Sequence, residues 1–249
     1  MIKKISIITP TYNSKDFIPQ TINSIISQTY RYWELIVTDD CSSDGTWELL
    51  QNYSMKDNRI KIFQLEKNSG TGVARNNSIK HATGRYIAFC DSDDVWLPDK
   101  LEKQIDFLQK NDLAFTFSSY RKINEMGEIG GVVKALPLVS YNDLLKTCSI
   151  GCLTAIYDTE KIGKVYMPEI RKRQDYGLWL KIFKIIGSSK GMEEILALYR
   201  VRTNSVSSNK LKAAKYHFKV LRDVGKVPLV KAWYYFLHYA FAGFFKYIR

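Results

Sequence analysis

The chain has 249 residues, 45% of them apolar, with no repetitive or low-complexity run; that bounds it to one large α/β unit with an appendage or two small domains, and excludes a disordered or fibrous protein. Its net charge of +12 is uneven, because residues 210–249 hold nine Lys or Arg against one Asp; the tail is expected either to meet an anionic partner or to be a solvated basic helix. Four cysteines without disulfide-framework spacing, and an N-terminus too short in apolar residues for a secretory signal, predict a cytoplasmic protein with reduced thiols.

Ile5–Thr9 reads as a first strand ending in the turn Pro10-Thr11-Tyr12-Asn13. Apolar residues recur at helical spacing over 16–28, at Phe17, Ile18, Ile22, Ile25 and Ile26. Trp33–Val37 is a second strand, stopped by Asp39-Asp40. Asp44-Gly45 then opens a helix through Trp47, Leu49 and Leu50, with Asp44 expected to cap it at Thr46. Ile60–Leu65 is a third strand, Gly70–Ala82 a helix entered through a glycine-rich turn, and Tyr86–Cys90 a fourth strand. This alternation predicts a parallel sheet covered on both faces, with ligands at the carboxyl ends of its strands. Three of those ends carry polar clusters: Thr11-Tyr12-Asn13, Asp39-Asp40 and Asp91-Ser92-Asp93-Asp94.

Further along, Lys100–Gln109 predicts a helix and Leu113–Phe117 a strand. The stretch Arg121 to Tyr141 reads as loop, with Gly127, Gly130, Gly131 and Pro137. A helix begins near Asp175 and buries Leu178, Trp179, Ile182, Phe183 and Ile186. Ile195–Tyr199 is strand-like, 202–210 a polar basic loop, and the last forty residues helical with breaks near Gly225 and Pro228. Cys148 and Cys152, four apart, are expected on one helix face as small core residues. His81, His217 and His238 show no partner pattern.

The chemistry concentrates in Asp91-Ser92-Asp93-Asp94. Residues two apart at a strand end point the same way, so Asp91 and Asp93 can converge. Two carboxylates in a cleft repel unless a cation lies between them, and hard oxygen ligands suit Mg²⁺ or Mn²⁺. The plainer alternative is an acidic turn capping the next helix. Asp175, at a helix start, can serve as a base for a hydroxyl or as an N-cap on Tyr176–Ile186.

Four segments in this order, TPTYNS, DDCSSDGT, NSGTGVARNNSI and GRYIAFCDSDD, resemble the family 2 glycosyltransferases, closely over residues 4–110 and more loosely to about residue 210. The resemblance implies an α/β fold of the GT-A type, with a mostly parallel central sheet flanked by helices and a C-terminal helical extension. It implies an inverting, metal-dependent transfer of a sugar from a nucleoside diphosphate, UDP favoured, using Mn²⁺ or Mg²⁺. By the same resemblance Pro10, Tyr12, Asp40, Arg75, Asp91 and Ser92 bind the donor nucleotide, with Tyr12 against the base, Asp40 accepting from it, and Arg75 balancing that acid. Asp93 is the main metal ligand with Asp91 beside it, Asp39 shapes its turn, and Asp175 is the catalytic base, although Gln174 stands where relatives carry a preceding acid. Arg200, Arg202 and Ser205 fall in a Tyr-Arg-x-Arg-x-x-Ser-x-Ser pattern that implies a lid over the diphosphate. A Gln-x-x-Arg-Trp motif of processive synthases is absent.

The expected division is a nucleotide-sugar half, 1–110, an acceptor half with base and lid, 111–210, and a basic aromatic tail, 211–249. In the tail, Ala232–Phe245 would span about 21 Å as a helix, short of the roughly 30 Å of a bilayer core. With its Trp, Tyr and positive charge it is expected to lie on the cytoplasmic face of the membrane, with docking on its own domain or on a second subunit as alternatives. An acceptor glycan, free or on a polyprenyl diphosphate, would suit that place in surface polysaccharide synthesis. Rival readings are a sugar-phosphate nucleotidyltransferase, which would carry a basic glycine-rich loop after the first strand, and a basic nucleic-acid- or membrane-binding protein without catalysis; no nucleic-acid-binding motif is present.

Overall fold

The computed structural model describes residues 3–202 and 210–245. Ile5–Thr11 (β1), Ile18–Ile26 (α1), Trp33–Asp39 (β2), Thr46–Lys56 (α2), Ile60–Gln64 (β3), Thr71–His81 (α3) and Tyr86–Phe89 (β4) alternate as expected. Then come Val95–Trp96 (β5), Lys100–Lys110 (α4), Phe115–Ile123 (β6), Ile129–Val133 (β7), Leu138–Ser140 (β8), Tyr141–Lys146 (α5), Ile156–Asp158 (β9) and Thr159–Ile162 (α6). Gln174–Ile186 (α7), Ser188–Arg200 (β10), Lys210–Lys219 (α8) and Leu229–Phe245 (α9) complete the chain, with a π-helical turn at Val220–Val224 before α9.

One sheet runs β3-β2-β1-β4-β9-β6-β10-β5, with β7 on β6 and β8 on β10. The pairs among β1 to β4 are parallel, while β9 pairs antiparallel with both β4 and β6. The sheet is therefore mixed rather than mostly parallel. β1 and β2 are buried at every position because strands flank them and helices cover both faces. Successive side chains alternate between two cores: Ile5 and Ile7 join Ile18, Ile22 and Leu101, while Ile8 joins Phe89, Phe115 and Trp179.

Three sequence expectations are corrected. The stretch 121–141 is not loop: it holds the end of β6 and the strands β7 and β8. Ile129–Val132 is exposed throughout, so no hydrophobic alternation marks β7. β10 is 13 residues long, not five, and spans the sheet beside β6. Cys148 and Cys152 do not share a helix face, since Cys148 follows α5 and Cys152 opens a short 3₁₀ turn. Both pack against the core, and the four cysteines are free thiols.

α4 carries a fully buried lysine. Lys100 Nζ lies 4.0 Å from the Trp96 ring and donates to Gln104 Oε1 at 2.6 Å. Burial lowers its pKa to about 7 from the ordinary 10.5. The folded state thus binds this proton less well than the unfolded one, so the stabilising effect of raising pH develops between about 7 and 10.5. Lys100→Met is expected to stabilise the protein by about 2–4 kcal/mol at pH 6 and to flatten that rise. Urea unfolding at pH 6 and pH 9 measures both.

The tail docks on its own domain. Val220, Leu221, Val227 and Ala232 are buried in the core beside Leu180 and Trp179. His217 is fully buried, stacked on Tyr176 at 4.9 Å and on Tyr239 at 4.0 Å. Burial, and then the Arg173 charge, lower its pKa to about 3, so it stays neutral and structural.

Candidate active site

The polar strand ends do converge. Pro10, Tyr12, Asp40, Arg75, Asp91, Ser92, Asp93, Asp175, Arg200 and Arg202 all line one cavity of about 670 Å³. Ser205 lies outside the described residues.

Its floor is braced from strand to strand. Asn13, left-handed at φ 46°, accepts from the Ser43 N–H at 2.9 Å, while the Ser42 hydroxyl accepts from Asn13 N at 2.8 Å. Asp39 shapes this turn as expected, accepting from Ser42 N and Gln64 Nε2. Asp44 accepts from the Thr46 N–H at 3.0 Å and from its hydroxyl at 2.6 Å, a structural role in the first turn of α2. Tyr12 stands half-exposed on the rim.

Asp40 is buried at the end of β2. Its two oxygens accept from Ser69 N at 2.7 Å and Gly70 N at 2.8 Å, which fixes the turn into α3. A carboxylate oxygen can accept more than one hydrogen bond, so these contacts leave capacity toward the cavity. Arg75, on α3, does not pair with Asp40. Its Nη2 donates to Asp91 Oδ1 at 2.5 Å, so it balances the acid after β4 instead. Burial opposes its charge, but Asp91, with Cys152 and Asp175, holds its pKa above the ordinary value.

Asp91 and Asp93 both face the cavity and are partly exposed. Burial first, then the Asp91 charge, raises the pKa of Asp93, while Arg202 opposes that. Ser92 is turned inward, its hydroxyl 2.9 Å from that of Ser14, tying the β4 exit to the β1 exit. Asp94, for which no role is expected from the sequence, is buried and accepts from Arg200 N at 3.0 Å. Burial, and then its acidic neighbours Asp93 and Asp91, push its pKa well up, and its contact with Arg200 N makes it a prop for the end of β10.

The two arginines of the Tyr-Arg-x-Arg pattern part ways. Arg200 is buried, and its guanidinium donates to the carbonyls of Asp93, Asn124 and Glu125 and to Gln20 Oε1. It is a strut from β10 to the β4 exit rather than a lid residue. Arg202 remains half-exposed, over the Phe17 ring at 4.6 Å and 3.6 Å from Asp93 Oδ2.

Asp175 lines the same cavity from the second position of α7. It does not cap: the residue before the helix is Arg173, and no side-chain cap bond is made. Gln174, buried beneath it, donates to the Arg171 carbonyl at 2.9 Å and packs on Gly72 of α3. A Cβ on Gly72 would come within 2.9 Å of Gln174 Cγ. Gly72→Ala is therefore expected to displace the start of α7 and lower turnover about tenfold, with a smaller change in nucleotide affinity. Steady-state kinetics alongside nucleotide titration would separate the two effects. Cys148 lines the same cavity, but burial pushes its thiol up to about 12, which removes it as a nucleophile near neutral pH.

The donor set fits a hard divalent cation: it is all oxygen, from two carboxylates on one loop that face the same cavity. Among the described residues no group of three or more His, Cys, Asp or Glu could hold a metal. Protein ligation would therefore rest on Asp93 with Asp91, leaving positions for phosphate oxygens.

Residues 6–156 match the profile of Glycosyl transferase family 2. The chain belongs to that family. It is 45% identical, over 95% of its own length and 94% of the other's, to TuaG of Bacillus subtilis (strain 168), assigned to teichuronic acid biosynthesis as a glycosyltransferase. It is 42% identical, over 96% and 93%, to WfgD of Escherichia coli, a UDP-Glc:α-D-GlcNAc-diphosphoundecaprenol β-1,3-glucosyltransferase. Among solved structures it resembles Staphylococcus aureus TarS with UDP-GlcNAc, at TM-score 0.72 and 26% identity, over 89% of this chain and 65% of that one. The fold is shared with a Pyrobaculum calidifontis mannosyltransferase in complex with GDP-Man and Mn²⁺, at TM-score 0.67 and 19% identity, over 95% and 70%. The protein is thus a GT-A glycosyltransferase, and the nucleotidyltransferase and nucleic-acid readings fall away.

Proposed function

We propose that this glycosyltransferase moves a sugar from UDP, with inversion, to a hydroxyl of a glycan carried on a polyprenyl diphosphate, in surface polysaccharide synthesis. The observation that carries this is the convergence in one cavity of Tyr12, Asp40, Asp91 and Asp93 from the strand exits and Asp175 from α7. Tyr12 packs on the base, Asp40 accepts from it, and Asp91 with Ser92 meets the ribose and sugar. Asp93 and Asp91 would hold Mn²⁺ or Mg²⁺, which would offset the charge growing on the leaving diphosphate. Arg202 adds a guanidinium beside Asp93. The acceptor hydroxyl gives its proton to Asp175, and its oxygen bonds to the anomeric carbon. The donor C–O bond breaks on the far face, and its electron pair leaves with UDP. The acceptor chemistry rests on the named substrate of the WfgD relative.

Among the described residues no helix is long and apolar enough to cross a membrane. α9 nevertheless exposes Leu229, Val230, Trp233, Tyr234 and Leu237 while its opposite side packs on the core. With Lys219, Lys226 and Lys231 exposed nearby in the chain, this face suits peripheral contact with the cytoplasmic side of an anionic membrane.

Calorimetric titration of UDP, GDP, CDP and dTDP, with and without Mn²⁺, tests the donor assignment. UDP is expected to bind most tightly, and only with metal. Asp40→Ala is expected to weaken UDP about tenfold and to erase the preference over the other nucleotides. Equal affinities for all four in the wild type would overturn the role of Asp40.

A further inference from the structure

The cavity carries positive charge in two separate places. Arg202 stands beside Asp93, on the β10 exit. Arg171, Lys172 and Arg173 stand in the segment that enters α7 directly before Asp175. A nucleotide sugar brings one diphosphate, which the Asp93 side already serves. The second group sits beside the base, where the acceptor must lie.

This second group is built rather than incidental. Arg171 and Arg173 make no ion pair among the described residues, and both line the cavity. Arg173 has a left-handed backbone, φ 59° and ψ 35°, at a position where a side chain costs about 1–2 kcal/mol. Its guanidinium donates to the Tyr239 hydroxyl at 2.6 Å and lies 5.1 Å from that ring centroid. Tyr239 stacks on the neutral His217, and His217 stacks on Tyr176, the neighbour of Asp175. The tail helix therefore clamps the arginine and the start of α7 together. The same helix presents Trp233, Tyr234 and Leu237 outward, so an apolar surface and the Tyr239 contact that holds Arg173 lie on one element.

We propose that Arg171, Lys172 and Arg173 form the acceptor's phosphate subsite, holding the diphosphate of a lipid-linked sugar so that the hydroxyl of that sugar reaches Asp175. The assignment rests on the acceptor reading above and extends it to a site. Guanidinium groups suit phosphate because they offer paired, charge-assisted donors. The transfer step is unchanged, and the acceptor's own diphosphate keeps all its bonds.

The test uses decyl diphosphate as the probe, titrated calorimetrically into the full chain with Mn²⁺ and saturating UDP, so that the donor side is filled. The double variant Arg171→Gln/Arg173→Gln is expected to weaken the probe by about tenfold or more. Arg173→Lys, which keeps the charge but loses the paired donors and the Tyr239 contact, is expected to weaken the probe less than the double variant, by about three- to tenfold, with UDP affinity within about twofold in every variant. A melting temperature near that of wild type shows that the double variant folds. Inorganic pyrophosphate is expected to bind more weakly than decyl diphosphate. Unchanged probe binding in the double variant, or no probe binding to the wild type, overturns the subsite. A parallel loss of UDP affinity would reassign the triplet to the donor, and equal affinity for pyrophosphate would reassign it to free diphosphate; either result overturns the acceptor role. Failure of UDP to bind the wild type would instead strike the donor reading, with the probe titration still readable.

Discussion

Asp175→Asn is expected to lower the rate of sugar transfer about 10²–10⁴-fold while leaving the affinity for UDP nearly unchanged. The asparagine keeps the size and polarity of the side chain but cannot take the acceptor's proton. The position makes no cap hydrogen bond, so the start of α7 does not depend on the carboxylate. The proposed donor contacts come from the β1, β2 and β4 exits rather than from α7, so binding is expected to survive. Turnover measured beside UDP titration gives the two numbers. Near-normal turnover in the variant would move the base elsewhere, and a matching loss of UDP affinity would make Asp175 a donor ligand.

Asp93→Ala is expected to cost a comparable amount, about 10²–10³-fold in turnover, through loss of the cation and of the charge that draws in Arg202. The signature separates it from Asp175. In the presence of UDP, binding of Mn²⁺, followed by its electron paramagnetic resonance signal, is expected to disappear in Asp93→Ala and to persist in Asp175→Asn. Asp93→Asn controls for the removed volume and is expected to lose the metal too, since a neutral amide is a poorer ligand. Asp91 offers a harder comparison, because removing it also strands the buried Arg75 guanidinium. Persistence of the Mn²⁺ signal in both Asp93 variants would overturn the metal assignment.

Local signals carried the first half of the fold. Strand runs, helical spacing and turn residues agree from Ile5 to Phe89, so β1 to β4 and their helices were legible, as were the acids at the strand ends. The second half was not, because its elements depend on partners remote in sequence. β9 is three residues long and exists because it fits between β4 and β6. β7 is exposed and glycine-bearing, so it shows no alternation. In the site, residue types were legible but pairings were not. Arg75 stands where the resemblance expects it, yet which acid it meets follows from the approach of α3 to the β4 exit. Arg200 and Arg202 look equivalent in the sequence, and only the three-dimensional end of β10 buries one and frees the other. Arg173 and Tyr239 are 66 residues apart, and His217 showed no pattern because its partners are two aromatic rings from distant helices.

Sugar transfer from UDP in this cavity is expected to depend on a divalent metal. The most direct test offers a panel of nucleotide sugars to the wild type with decyl-diphospho-GlcNAc as acceptor, in Mn²⁺ or EDTA, and identifies the product by mass and by NMR of its new anomeric centre. One UDP-sugar is expected to yield a product with inverted configuration, and EDTA to abolish it. Transfer that proceeds equally in EDTA, or a product that retains the donor's configuration, would contradict the account.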